Sequence, residues 1–131
     1  MSSVFSKIIL REIPAYIVAE NAHFIAFLDT NPLVLGHTLV VPKREEDYFF
    51  DLNDQELTDL MLFAKQVAGA IQKCIPCKRI GISVIGLEVP HAHLHLVPLN
   101  KTGDINFANP KLSLTKEELT LVAAKIKAAF K

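Results

Sequence analysis

Over residues 90–98 the chain reads Pro-His-Ala-His-Leu-His-Leu-Val-Pro, so His91, His93 and His95 alternate with aliphatic residues. A period of two is the pattern of a β-strand, because successive side chains of a strand point to opposite faces of the sheet. A strand over 91–98 turns Ala92, Leu94 and Leu96 into a core and collects the three imidazoles on the other face. Three rings in a row are poor packing material. Each brings two nitrogens that need partners, and protonated neighbours would repel. Such a row points to a functional site.

Two chemistries suit it. Imidazoles two apart on a strand can ligate one zinc or iron ion, with a third ligand from elsewhere and Glu88 as a nearby carboxylate. Alternatively, a neutral imidazole can attack phosphorus near pH 7 if an acceptor holds its other nitrogen as N–H. Flanking imidazoles would then stabilise phosphoryl oxygens and protonate the leaving group. Periodicity leaves both open.

A chain of 131 residues fits one domain, spanning 1–131. Half of the residues are apolar, enough for a core and against disorder. The formal net charge is zero, so nothing favours a nucleic acid polymer or an acidic membrane as partner. No apolar run is long enough to span a bilayer, and the opening residues lack the pattern of a secretory signal; a cytoplasmic location is expected. Cys74 and Cys77 form Cys-Ile-Pro-Cys, which can be a redox pair or half a zinc site. The cysteines for a second half are missing, which favours an inert pair.

Strands are expected over 15–20, 23–28, 38–41, 79–85 and 91–98, separated by turn residues such as Asp29-Thr30-Asn31-Pro32. One helix starts at Asn53, with Glu56 completing a capping box. It carries Leu57, Leu60, Met61, Ala64, Val67, Ala68 and Ile71 at helical spacing. A second is capped by Thr115 and Glu118 and presents Leu119, Val122, Ala123, Ile126 and Phe130. The class is α+β with a mainly antiparallel sheet and two helices. His23 is expected on a strand surface, and His37 as a satisfied structural histidine.

The histidine run resembles the signature of the histidine triad family. Ordered matches extend the resemblance: residues 5–15, 26–32 and 36–43, then Glu88-Val-Pro-His91. Together they cover roughly three quarters of the chain, a far stronger signal than one short motif. The resemblance implies a homodimer whose two five-stranded sheets join, and nucleotide hydrolysis or transfer at an α-phosphate. The substrate would be a purine nucleoside 5′-phosphoramidate or a dinucleoside polyphosphate, and no cofactor or metal is implied. His93 would be the nucleophile, forming a nucleotidyl-histidine. His91 would order the site, and His95 would contact phosphoryl oxygens or assist the leaving group. Asp29 would bond the ribose hydroxyls, and Phe5, Ile8, Phe27 and Leu28 would form an apolar slot for the base. Glu88, in the matching segment before the triad, and Ser83 would also contact the substrate.

The chain also departs from the family pattern. Glu45 stands where many members have a histidine, and no cysteine precedes Cys74, so a zinc site built on those groups is not expected. The loop before the triad is short, Leu87 replaces a common glutamine, and Ser83 is the nearby polar side chain in place of an asparagine. These losses motivate the alternative of a catalytically weak or inactive nucleotide-binding or partner-binding module.

Overall fold

The first reversal of the chain is made by one side chain. Asn21 Oδ1 accepts the backbone N–H groups of His23 and Phe24, both at 2.9 Å, an Asx turn that folds β2 (Phe24–Leu28) back on β1 (Ile17–Glu20). The computed structural model describes residues 2–130; Met1, at the start of the segment read against the secretory pattern, and Lys131 lie outside the described residues. β3 (Thr38–Pro42), β4 (Arg79–Ser83) and β5 (Leu94–Leu99) complete a five-stranded sheet in the order β1-β2-β3-β5-β4, every neighbouring pair antiparallel. Among the described residues, no helix is long and apolar enough to cross a membrane.

The central strands β2 and β3 are buried along their whole length. Alternation divides their side chains between two cores. Phe24, Ala26, Leu28 and Val40 join Ala92, Leu94 and Leu96 beneath two helices, α2 (Asp54–Cys74) and α3 (Lys116–Ala129). Ile25, Phe27, Leu39 and Val41 face the opposite side.

α2 begins at the expected capping box: Glu56 N–H donates to Asn53 Oδ1 at 2.8 Å. Its buried face holds Leu60, Phe63, Ala64, Val67, Ala70 and Ile71. Met61, expected on that stripe, is 43% exposed, and Phe63 stacks on Phe24 instead. The face centred on Leu60, Ala64, Val67 and Ile71 leaves Phe63 on its inner flank and Met61 on its outer one. α3 starts at Thr115 with Glu118 and buries Leu119, Ala123 and Ile126.

A third helix, α1 (Val4–Ile9), covers the opposite face of the sheet with Phe5 and Ile8. Six residues are too few to show helical periodicity in a sequence, and two helices were expected. Its end is a Schellman motif: Arg11 N–H donates to Ile8 O and Glu12 N–H to Lys7 O, with Arg11 at φ +64°.

Of the strand boundaries that differ from expectation, two shape the site. β4 stops at Ser83 rather than at residue 85, and β5 starts at Leu94 rather than at His91. Pro90 has no N–H for a ladder, His91 N–H closes a tight turn onto Val89 O (2.8 Å), and Ala92 N–H goes to Glu46 O. The ladder therefore cannot start before the chain has passed His93.

Just before β3, Gly36 adopts φ +93°, and a Cβ there would lie 2.9 Å from Ile75 Cγ1 and 3.2 Å from Pro98 Cγ. Gly36→Ala is expected to cost about 1–3 kcal/mol through backbone strain alone. A urea melt checks this: the midpoint should fall with an unchanged slope. An unshifted midpoint would contradict the need for glycine.

Candidate active site

Backbone groups decide which nitrogen of His93, His91 and His37 carries the proton, and His37 in turn decides it for His95. His93 Nδ1 lies 2.7 Å from the carbonyl oxygen of His91, which can only accept, so Nδ1 is the N–H and Nε2 holds the lone pair. His91 Nε2 lies 2.7 Å from Pro42 O and is the N–H by the same argument; its Nδ1 accepts from the Ser3 hydroxyl at 2.7 Å. On the other side, Leu33 N–H donates to His37 Nδ1 at 3.0 Å, so His37 Nε2 carries the proton and donates to His95 Nδ1, also at 3.0 Å. His95 is left with an N–H at Nε2.

These rings do not share one face as a continuous strand would have placed them. His93 and His95 line a cavity of about 570 Å³. His91, fully buried, sits behind them and meets the site through its carbonyl, because the turn at Val89–His91 takes it off the strand. The cavity walls include Phe5, Ile8, Phe27, Leu28 and Leu39. Phe5 packs edge-on against His93 at 5.0 Å and Phe27 at 5.5 Å between ring centroids. Asp29, Thr30 and Asn31 line the cavity as well, and Asp29 Oδ1 also accepts Asn31 N–H at 2.8 Å, so this residue is both a turn former and a site group. Glu88 and the 89% exposed Leu87 border the cavity. Ser83 is paired opposite His95 in the β4–β5 ladder and is not among the residues lining the cavity. His23 is exposed in the turn before β2.

Among the lining residues that escaped the sequence reading, three bear on the imidazoles or carry charge. His37 is one: Leu39 pairs directly with His95, which makes His37 its diagonal neighbour. The signal was Gly-His-Thr at the entrance of a strand, unreadable without the strand order. Phe107, with its ring centroid 4.8 Å from that of His95, and Lys111 come from the irregular segment before α3. Lys111 Nζ donates to Phe107 O (2.6 Å) and Asn109 O (2.9 Å). No periodicity marks such a segment.

Asp29, His37 and His95 bring possible ligand atoms within 4.8 Å of one another, the one such trio among the described residues. A cation there would have to displace the proton that Leu33 N–H forces onto His37 Nε2, and would break the bond to His95. The donor set fits a hydrogen-bond relay better than a metal.

Burial lowers the pKa of His37, His91 and His93, and takes that of His95 to about 3 from its ordinary value of 6.5, with the neighbouring imidazoles His93 and His37 adding to the effect. All four rings are therefore neutral at pH 7. Unfolded, they take up protons below pH 6.5, so the unfolded state binds more protons and stability falls with pH. The lowered carboxylates (Glu20, Glu45, Glu56, Asp104 and Glu118) add a loss of the same sign only near 4.5 and below. The thermal midpoint is expected to drop between pH 6.5 and 5, before those carboxylates respond. A midpoint constant over that window would contradict buried neutral rings.

A family model described as HIT domain matches residues 10–102, more than half of the chain. An uncharacterized HIT-like protein of Borreliella burgdorferi is 32% identical over 131 residues, with 94% of each chain covered. The adenosine 5′-monophosphoramidase hnt1 of Schizosaccharomyces pombe is 30% identical over 134 residues, covering 100% of both. A crystal structure of a hypothetical histidine triad nucleotide-binding protein from Sulfolobus tokodaii superposes with a TM-score of 0.85 at 28% identity, covering 96% of this chain and 90% of that one.

Proposed function

The chain belongs to the histidine triad family, and on that premise we propose that it cleaves a purine nucleoside 5′-phosphoramidate at the α-phosphate through a nucleotidyl-histidine on His93. One observation carries the proposal: His93 lines the cavity with Nδ1–H fixed on His91 O, so Nε2 offers its lone pair. Attack by Nε2 forms the N–P bond and breaks the bond to the leaving amine, which needs a proton. His95, with its N–H at Nε2, stands beside His93 at 5.1 Å between ring centroids and can hydrogen-bond a phosphoryl oxygen or that amine. Water then releases the nucleoside monophosphate and frees the imidazole. Asp29 supplies acceptors for ribose hydroxyls, and Phe5, Ile8, Phe27 and Leu28 supply the slot for the base.

Charge favours a phosphoramidate over a dinucleoside polyphosphate. The charged residues lining the cavity are Asp29, Glu88 and Lys111, two acids against one base, while the imidazoles are neutral. Each further phosphate would add negative charge against a lining in which, among the described residues, Lys111 is the single base. The name of the fission yeast relative points the same way. Leu87, which offers no hydrogen bond at the cavity border, favours the second reading, a nucleotide-binding module with little turnover.

Wild-type protein is expected to hydrolyse adenosine 5′-phosphoramidate with a higher kcat/KM than diadenosine polyphosphates. His93→Ala should lose at least about 10³-fold in kcat with its circular dichroism unchanged. Near-normal turnover by that variant would remove His93 as the nucleophile. AMP binding by wild-type protein without turnover would establish the second reading.

The proposal includes a homodimer. β4 is an edge strand, and Ile82, Val84, Ile85 and Leu87 on and after it are exposed, a combination suited to pairing with a second chain. Sedimentation should report two chains at micromolar concentration and one chain for Ile82→Lys. A monomeric wild type would exclude the joined sheet.

A further inference from the structure

The segment leaving β3 grips the start of the histidine run from several sides. Pro42 O accepts the N–H of His91 Nε2 at 2.7 Å, and Glu46 O accepts the amide N–H of Ala92. Arg44 ties the segment to the start of α2 through Glu56 at 2.8 Å. Glu45 turns the other way, toward α1. Its Oε1 accepts the backbone N–H of Ser3 at 2.7 Å and the hydroxyl of Ser6 at 2.6 Å, and lies 4.0 Å from His91 Nδ1. The Ser3 hydroxyl accepts Ser6 N–H at 3.0 Å and sits 2.7 Å from that same Nδ1.

The protons can be assigned completely. His91 Nδ1 holds a lone pair, so the single hydroxyl proton of Ser3 goes to it. The Ser6 hydroxyl proton goes to Glu45, which leaves its 3.4 Å approach to Nδ1 without a proton to share. One carboxylate oxygen thus closes a ring of hydrogen bonds through two serines to the ring of His91, the residue whose backbone carbonyl accepts His93 Nδ1–H.

We propose that Glu45 is a positioning residue of the site, clasping α1 onto His91 through Ser3 and Ser6 and so fixing both the Phe5–Ile8 wall of the cavity and the ring behind His93. The proposal deepens the nucleotide reading and rests on it for the cavity's occupant. A helix of six residues does not hold its shape alone in water, so something must anchor α1. Its apolar anchor is Phe5 and Ile8; its polar anchor, from 39 and 42 residues away, is Glu45. Isolated surface ion pairs contribute little, but these are short charge-assisted bonds to a backbone N–H and a hydroxyl. The same bonds hold the Glu45 carboxyl down to about 2, so the clasp keeps its acceptor charged through the neutral range.

The experiment combines hydrogen exchange, calorimetric titration with AMP and steady-state kinetics on wild type, Glu45→Ala, Glu45→Gln and Ser6→Ala, with thermal midpoints as the folding control. In Glu45→Ala the amides of 4–9 should exchange roughly ten-fold faster or more, while those of the central strands do not change. AMP should bind roughly ten-fold more weakly, and KM should rise more than kcat falls. Ser6→Ala should move in the same direction by less. Glu45→Gln, whose amide oxygen can accept both bonds, should recover most of the affinity. Wild-type exchange at 4–9 and wild-type AMP affinity in Glu45→Ala would overturn the clasp. So would faster exchange across the whole sheet, which marks a general stabilising role. If wild type binds AMP without hydrolysing phosphoramidates, the hydrolase reading falls while exchange and affinity still decide the clasp.

Discussion

A hydrogen bond from His93 to the carbonyl of the residue two positions before it underlies the rest of the site. An imidazole has one proton and two nitrogens when neutral, and only the nitrogen without the proton can attack. A carbonyl cannot donate, so it removes the choice. The same logic repeats around the cavity: Pro42 O sets His91, Leu33 N–H sets His37, and His37 sets His95. Main-chain groups are rigid where side chains are not, so the protonation pattern is built into the fold.

That rigidity comes from the sheet. β2 and β3 are buried on both faces, and β5 lies against β3. One face packs on α2 and α3; the other carries Ile25, Phe27, Leu39 and Val41 against α1. Desolvation of the imidazoles disfavours their charged forms, and the hydrogen bonds meet the polar demands of their neutral ones. No buried side-chain nitrogen or oxygen among the described residues lacks a partner. A row of imidazoles that would be frustrated in an ordinary core is thus tolerated, with the Nε2 lone pair of His93 left unclaimed at the cavity.

The N-terminal helix shows how a second polar network supports the first. Ser3 caps α1 and also bonds His91, so one hydroxyl serves helix formation and site geometry together. Glu45 joins that hydroxyl's neighbours to the end of β3. The cavity wall and the backbone that holds His93 therefore share one set of bonds, although the residues concerned lie far apart in the chain.

The sequence by itself determined the strands, both long helices with their capping boxes, and most of the residues that gather around the cavity. Period-two and period-3.6 patterns register burial directly, and Ala92, Leu94 and Leu96 do lie in the core as the alternation required. His93, His95, Asp29, Phe5, Ile8, Phe27, Leu28 and Glu88 were legible as a group and do meet around one cavity. Only the tertiary structure decided the rest. It withdrew His91 from the cavity, because a proline and a tight turn delayed the strand. It brought in His37 through the β3–β5 register, and Phe107 and Lys111 through a segment without periodicity. It also turned Glu45 onto α1. Local patterns reveal which side of an element is buried; they do not encode which distant polar groups will meet, since that depends on strand order and on the path of the loops.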